Sequence, residues 1–194
     1  MERNSISTLV VYTPLFLTSL RAFLAPVVVL LALFNPSPVA FGICLLVAFL
    51  SDVFDGIIAR RLGIATPLLR RLDSIADSVF YVAAVFAAWY LKPTIINENI
   101  IGLAVLGVLE IARYIFDLAK FKREASYHMW SSKLWGIFLF LGFFNILVMG
   151  ESGFLVQAAI YIGIIADAEG LAISIVLKDL KSDVPTLMHA LKGR

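Results

Sequence analysis

Six long apolar runs, roughly at residues 14–34, 38–60, 73–91, 95–119, 133–149 and 154–177, leave this chain few ways to fold. A helix needs about 20 apolar residues to cross a hydrocarbon core about 30 Å thick. Only helices and closed barrels can satisfy every backbone polar group there. The runs are continuous rather than alternating. They therefore exclude a barrel and predict an all-α integral membrane bundle of six transmembrane helices, forming one domain over 1–194. Composition agrees: 15% of residues are charged, against roughly 25% in soluble domains. Pro36 and Pro38, the stretch from Lys92 to Asn99, and Gly150 to Gly153 punctuate the runs. The tail DLKSDVPTLMHALKGR sets Leu187, Met188 and Leu191 at helical spacing beside basic residues. It is expected either to lie along the membrane surface or to fray, and the N-terminal 12 residues are a weaker surface candidate. The run after Thr13 is too long for a cleavable signal, and Cys44, the single cysteine, reads as a small buried hydrophobe.

Basic residues set the expected orientation. The N-terminus, the loops near 60–72 and 118–133, and the C-terminus hold 13 of the 16 lysines and arginines, whereas the opposite loops hold only Lys92. By the positive-inside rule both termini face the cytoplasm. That requires an even number of spans, and six agrees. Net charge is only +2, and no nucleic-acid partner is expected.

Ionisable side chains within spans are costly and point to function. Here they gather at one depth, in SDVFDGIIARRLGIATPLLRRLDSIADSVFY, residues 51–81. Asp52 and Asp55 are spaced i,i+3, and Asp73 and Asp77 are spaced i,i+4, so each pair shares one helix face. A short loop with Gly63 and Pro67 makes the two helices antiparallel neighbours, so the pairs can meet. Four carboxylates at such range repel unless a cation intervenes. Mg²⁺ or Mn²⁺, held by oxygen ligands with positions left for phosphates, suits them best. A salt-bridge network with Arg60, Arg61, Arg70 and Arg71 is the structural alternative. Gly56 and Ala59 leave room beside these carboxylates, and Arg60 offers a planar cation suited to phosphate. Close helix packing is the plainer explanation of Gly56.

The pattern Asp52-x2-Asp55-Gly56-x2-Ala59-Arg60…Asp73-x3-Asp77 resembles the signature of the CDP-alcohol phosphotransferases, D-x2-D-G-x2-A-R-x8-G-x3-D-x3-D. Seven of its eight positions match, and Leu69 stands where the family has its second glycine. Size, span number and the Leu17-Thr18-x2-Arg21 run extend the resemblance over most of the chain, with the C-terminal third alike only in hydropathy. The resemblance implies transfer of a substituted phosphate, a phosphatidyl group, from a CDP-linked lipid such as CDP-diacylglycerol to an alcohol, releasing CMP. It implies two divalent cations, Mg²⁺ or Mn²⁺, with Asp52, Asp55 and Asp73 as ligands and Asp77 as ligand and general base. Gly56, Ala59, Arg60 and Thr66 would line the CDP-alcohol site, with Thr18 a further candidate. A homodimer in the membrane, with its site on the cytoplasmic side, would be usual.

Acceptor residues are open. Arg113, Lys133 and Arg21 could bind an anionic acceptor from the same cavity. Alternatively, Arg113 pairs with Glu110 or Asp117, and Lys133 is an ordinary loop cation. Free basic residues would favour an alcohol phosphate. Paired ones would favour a neutral polyol or amino alcohol. Asp167 and Glu169, deep in the last span, either bind acceptor hydroxyls or pair with Arg113. Tyr127, Trp130 and Trp135 fall where an interfacial aromatic belt would lie. His128 and His189 are expected to be solvated. Two other functions fit an aspartate-rich membrane chain. A membrane prenyltransferase has different motif spacing and usually more spans. A divalent-cation transporter would need charges across the outer half of the spans, which are nearly free of them.

Overall fold

The computed structural model describes residues 2–63, 66–123, 125, 127, 129–181 and 184–192, with the backbone alone for 2–12, 60, 67, 68 and 70. The described residues are almost wholly helical. In chain order the helices are α1 (Glu2–Phe34), α2 (Pro38–Leu62), α3 (Pro67–Leu91), α4 (Pro93–Glu98), α5 (Ile100–Phe121), α6 (Trp130–Phe144), α7 (Phe154–Val176) and α8 (Leu187–Lys192). A single π-helical turn, Asn145–Met149, continues α6.

Local chemistry explains the boundaries. Proline stands first in α2, α3 and α4, where its missing N–H costs nothing and its fixed φ suits the first turn. Thr66 caps α3, its hydroxyl accepting from Leu69 N at 3.2 Å. Replacing this exposed cap, as in Thr66→Ala, should cost about 1 kcal/mol. The loss would be read as a lower melting temperature in detergent with helix content unchanged. Gly63, with φ +66°, turns the chain between α2 and α3, a conformation glycine adopts without strain.

Among the described residues, five helical segments are long and apolar enough to cross a membrane: Thr13–Phe34, Pro38–Ala59, Arg71–Leu91, Trp130–Met149 and Phe154–Val176. The protein is therefore a multi-pass membrane protein. The sixth expected span, 95–119, is divided by the structure between α4 and α5. At 22 residues α5 has the length, but it carries Glu110, Arg113, Asp117 and Lys120, which set it apart from the other five.

The residues fall into two compact units. In the first, Met1–Pro93 with Ile146–Gly150, α1 packs against both α2 and α3. Its α3 buries Ala76, Phe80, Ala83, Ala84 and Ala87 at helical spacing. Alanines let helix backbones approach closely, which matters where apolar lipid gives apolar side chains little reason to associate. Buried Cys44 sits in this interior with Phe41, Leu45 and Ala48 of α2.

In the second unit, Thr94–Asn145 with Glu151–Arg194, α7 is the common partner of α5, α6 and α8. One face of α7 is buried throughout, from Val156 to Ser174. Small residues again set the spacing. A Cβ at Gly142 would lie 3.1 Å from Ala159 Cβ. A satellite core joins Tyr127, Met129, Ile173, Leu177, Val184 and Ala190. In α8, Ala190 packs into this core while Met188 and Leu191 stay exposed, so the tail is a short docked helix.

Candidate active site

Charge in the first unit converges on one residue, Arg21 of α1, which is 1% exposed. Its Nη1 donates to Asp52 at 3.0 Å and to Asp77. Its Nη2 donates to Asp55 and to Asp73. Because α1 packs against both helices, Arg21 Nη1 joins Asp52 of α2 to Asp77 of α3, and Nη2 joins Asp55 to Asp73. Thr18, one turn before Arg21 and buried, donates to Asp55 Oδ2 at 3.4 Å.

The site is graded in exposure. The Asp55 side chain is 4% exposed, those of Asp73 and Asp77 are 33%, and that of Asp52 is 47%. The cluster is thus closed at Asp55 and open at Asp52. Asp52, Asp55 and Asp73 each offer a carboxylate oxygen, all within 4.8 Å of one another. Hard oxygen donors this close, partly open on one side, fit a divalent cation that keeps positions for phosphate oxygens. Asp77 is outside that triad and joins it through Arg21.

The remaining expected residues lie as follows. Gly56 is half-buried and Ala59 is buried one turn beyond Asp55. Thr66 is exposed at the head of α3, with its hydroxyl engaged as the cap. The Arg60 side chain lies outside the described residues. Leu69 is the third residue of α3 and its N–H serves that cap. The helix therefore forms here without the family's glycine. The ion pairs described for the four aspartates run to Arg21 in α1; of the loop arginines weighed as the structural alternative, the side chains of Arg60 and Arg70 lie outside the described residues.

A second buried polar group lies in the other unit, along α7. Arg113 Nη1 is 3.1 Å from Asp167 Oδ1, and Asp167 is wholly buried. The pair is not aligned as a hydrogen bond, and both Asp167 oxygens lack one. Gly170 makes room for the arginine: a Cβ there would lie 3.0 Å from Arg113 Cδ. Above it on the same face, a Cβ at Gly163 would lie 2.6 Å from Trp135 Nε1, a buried donor without a partner. Below it, Ser174 links Asp117 and the Tyr127 hydroxyl. Burial pushes the Tyr127 hydroxyl above its ordinary pKa, so it stays neutral and can serve Ser174. Lys120 Nζ donates to the carbonyls of Ser174 and Ile175 at 2.8 and 3.0 Å.

Arg113 therefore faces Asp167 rather than Glu110, and Asp117 bonds to Ser174. Glu169 accepts from Ser131 and from the Leu187 N–H. Lys133 lies over the Trp130 ring, 4.4 Å from its centroid. The expected aromatic belt divides: Trp130 is exposed, Tyr127 is in the satellite core, and Trp135 packs on α7. His128 lies outside the described residues, and His189 is exposed beside Thr186.

Sequence reasoning placed Arg21 among acceptor-binding candidates and did not see it at the centre of the carboxylates. A signal was present: Arg21 is the one basic residue within the apolar body of α1, and an arginine buried there needs acidic partners.

A family model, CDP-alcohol phosphatidyltransferase, matches residues 11–173. The chain belongs to the CDP-alcohol phosphatidyltransferase family. No curated protein and no solved structure gives a match. The matched segment takes in α1 from Val11, the whole of α2 and α3, and α7 to Ile173. CDP-alcohol phosphatidyltransferases use a CDP-alcohol donor and an alcohol acceptor in membranes, and generally depend on divalent cations. In this CDP-alcohol phosphatidyltransferase the aspartate cluster could hold such an ion.

Proposed function

We propose that the protein transfers a phosphatidyl group from CDP-diacylglycerol to a small alcohol, releasing CMP, with Mg²⁺ or Mn²⁺ as cofactor. The convergence of Asp52, Asp55, Asp73 and Asp77 from two successive helices carries this reading. Asp52, Asp55 and Asp73 would hold cations, joined at the second position by Asp77. When bound, such ions would fix the diphosphate and offset the charge of departing CMP. The chain's own residues do the rest. Gly56 and Ala59 give the donor a smooth helix face, and Arg60, Thr66 and Thr18 supply polar contacts. Asp77 takes the proton of the acceptor hydroxyl as its oxygen bonds to the lipid-linked phosphorus. The bond from that phosphorus to CMP breaks, and CMP leaves with the electron pair. Phosphoryl-type transfer of this kind rests on positioning and charge more than on covalent chemistry.

The basic-residue bias supports a cytoplasmic position for both termini and the site, at headgroup depth, with lipid tails in the membrane and the nucleotide in water. The working form is a homodimer. Arg113 is offset by Asp167 and Lys133 rests on Trp130, which supports a neutral polyol or amino alcohol over an alcohol phosphate.

The test is CMP release by purified protein given CDP-diacylglycerol, Mn²⁺ or Mg²⁺, and a panel of alcohols and alcohol phosphates. Release should need metal and one neutral or amino acceptor. A metal-independent signal would remove the reading, and a phosphorylated acceptor would remove its last part. Leu69→Gly should tighten CDP binding severalfold by clearing space. It should also cost about 1 kcal/mol of helix stability. Unchanged affinity would show that leucine is accommodated.

A further inference from the structure

The geometry points to Arg21 as a placeholder cation: its guanidinium holds the carboxylate cluster together before a divalent ion arrives, and the ion must displace it. This rests on the reading of the cluster as a cation site.

Three observations carry it. First, the guanidinium contacts every member of the triad that could ligate an ion: Nη1 binds Asp52, and Nη2 binds Asp55 and Asp73. Asp52 Oδ1, Asp55 Oδ2 and Asp73 Oδ1 accept from the guanidinium, so an ion on the same three carboxylates would crowd two positive groups into one pocket. Second, the guanidinium is buried, yet its Nε has no hydrogen-bond partner. The described contacts hold it by its two Nη atoms alone. Once the carboxylates turn to an ion, those contacts no longer retain it. Third, the charges balance in a telling way. Counted at formal charge, four aspartates and one arginine sum to −3. Adding two divalent ions brings this to +1 with the arginine and to zero without it.

The need for such a group is physical. Four carboxylates brought together without a cation repel, and burying them raises the cost further. An arginine supplied by the preceding helix lets the hairpin assemble in a metal-poor membrane. Arginine suits the task better than lysine, since its planar fork reaches carboxylates on two levels at once.

Two measurements test this. In the first, Mn²⁺ binding to detergent-purified protein is titrated by electron paramagnetic resonance, for wild type and Arg21→Met. Removing the competitor should tighten Mn²⁺ binding at least tenfold, while the melting temperature in EDTA falls more than that in saturating Mn²⁺. Unchanged or weaker Mn²⁺ affinity in Arg21→Met overturns the inference and leaves the cation site standing. No Mn²⁺ binding by wild type removes the cation site and the inference with it. The second uses wild type alone and does not depend on the variant folding. Phenylglyoxal modification of Arg21, read by mass spectrometry, should be negligible in EDTA and rise about tenfold in saturating Mn²⁺. Equal protection in both conditions overturns displacement.

Discussion

Asp77→Asn should lower the transfer rate by about 10²- to 10⁴-fold, the range of a positioned general base, while Mn²⁺ binding remains measurable. The proposed base role makes Asp77 differ from the other three aspartates. It reaches the cluster through Arg21 Nη1, yet stands outside the triad of Asp52, Asp55 and Asp73 whose oxygens crowd together. Asparagine keeps the size and one acceptor oxygen but cannot take up a proton. The matched control is Asp55→Asn, in the most buried of the four carboxylates, which should weaken Mn²⁺ binding as well as rate. Initial rates of CMP release and Mn²⁺ titrations on the two variants separate the roles. Full activity in Asp77→Asn would take the base role from this residue.

The second large effect is on stability. Arg113→Met should destabilise the protein by about 3–5 kcal/mol, because it strands a carboxylate where water cannot reach. Asp167 is wholly buried and Arg113 lies 3.1 Å away. The double variant Arg113→Met with Asp167→Leu should recover most of the loss, and the double-mutant cycle isolates the pair. Equilibrium unfolding in mixed micelles gives the numbers. A single variant within about 0.5 kcal/mol of wild type, the usual range of surface substitutions, would show that Asp167 has other support. The same variant bears on the acceptor. An anion-binding Arg113 would raise the acceptor KM in protein that stays stably folded, whereas a paired Arg113 would show its effect in stability.

Much of this molecule can be read in its sequence, and the reasons are specific. Apolar runs bounded by Pro38, Pro93 and Gly150 mark helices because backbone satisfaction in lipid leaves no other choice. The i,i+3 and i,i+4 spacing of the aspartates fixes their faces, and a four-residue connection from 63 to 66 fixes the hairpin. What spacing cannot carry is the partner supplied from elsewhere in the chain. Arg21 lies 31 residues before Asp52 and 56 before Asp77, and nothing periodic links them. For Arg113 the sequence offered Glu110 and Asp117 by spacing and Asp167 by its depth in the last span, and spacing could not choose among them. The choice of Asp167 depends on α5 packing against α7 and on the absence of a side chain at Gly170. The span expected over 95–119 begins later in the structure, at α5, and carries four charged residues. Hydropathy averages over charges that this helix turns to structural use.

The carboxylate pairs that Arg21 joins also bear on how α2 and α3 find their alignment against α1. Steps of three and four residues rise about 4.5 and 6 Å along a helix, so the acidic positions on the two helices form unequal rulers. Sliding α2 or α3 by a single turn along α1 would carry an acid away from the Arg21 guanidinium. It would also leave another facing hydrocarbon, a state that membranes penalise heavily. A misthreaded intermediate therefore gains little from near-matches and has reason to let go. In this way an arrangement suited to chemistry would also act as a proofreading device during insertion into the bilayer.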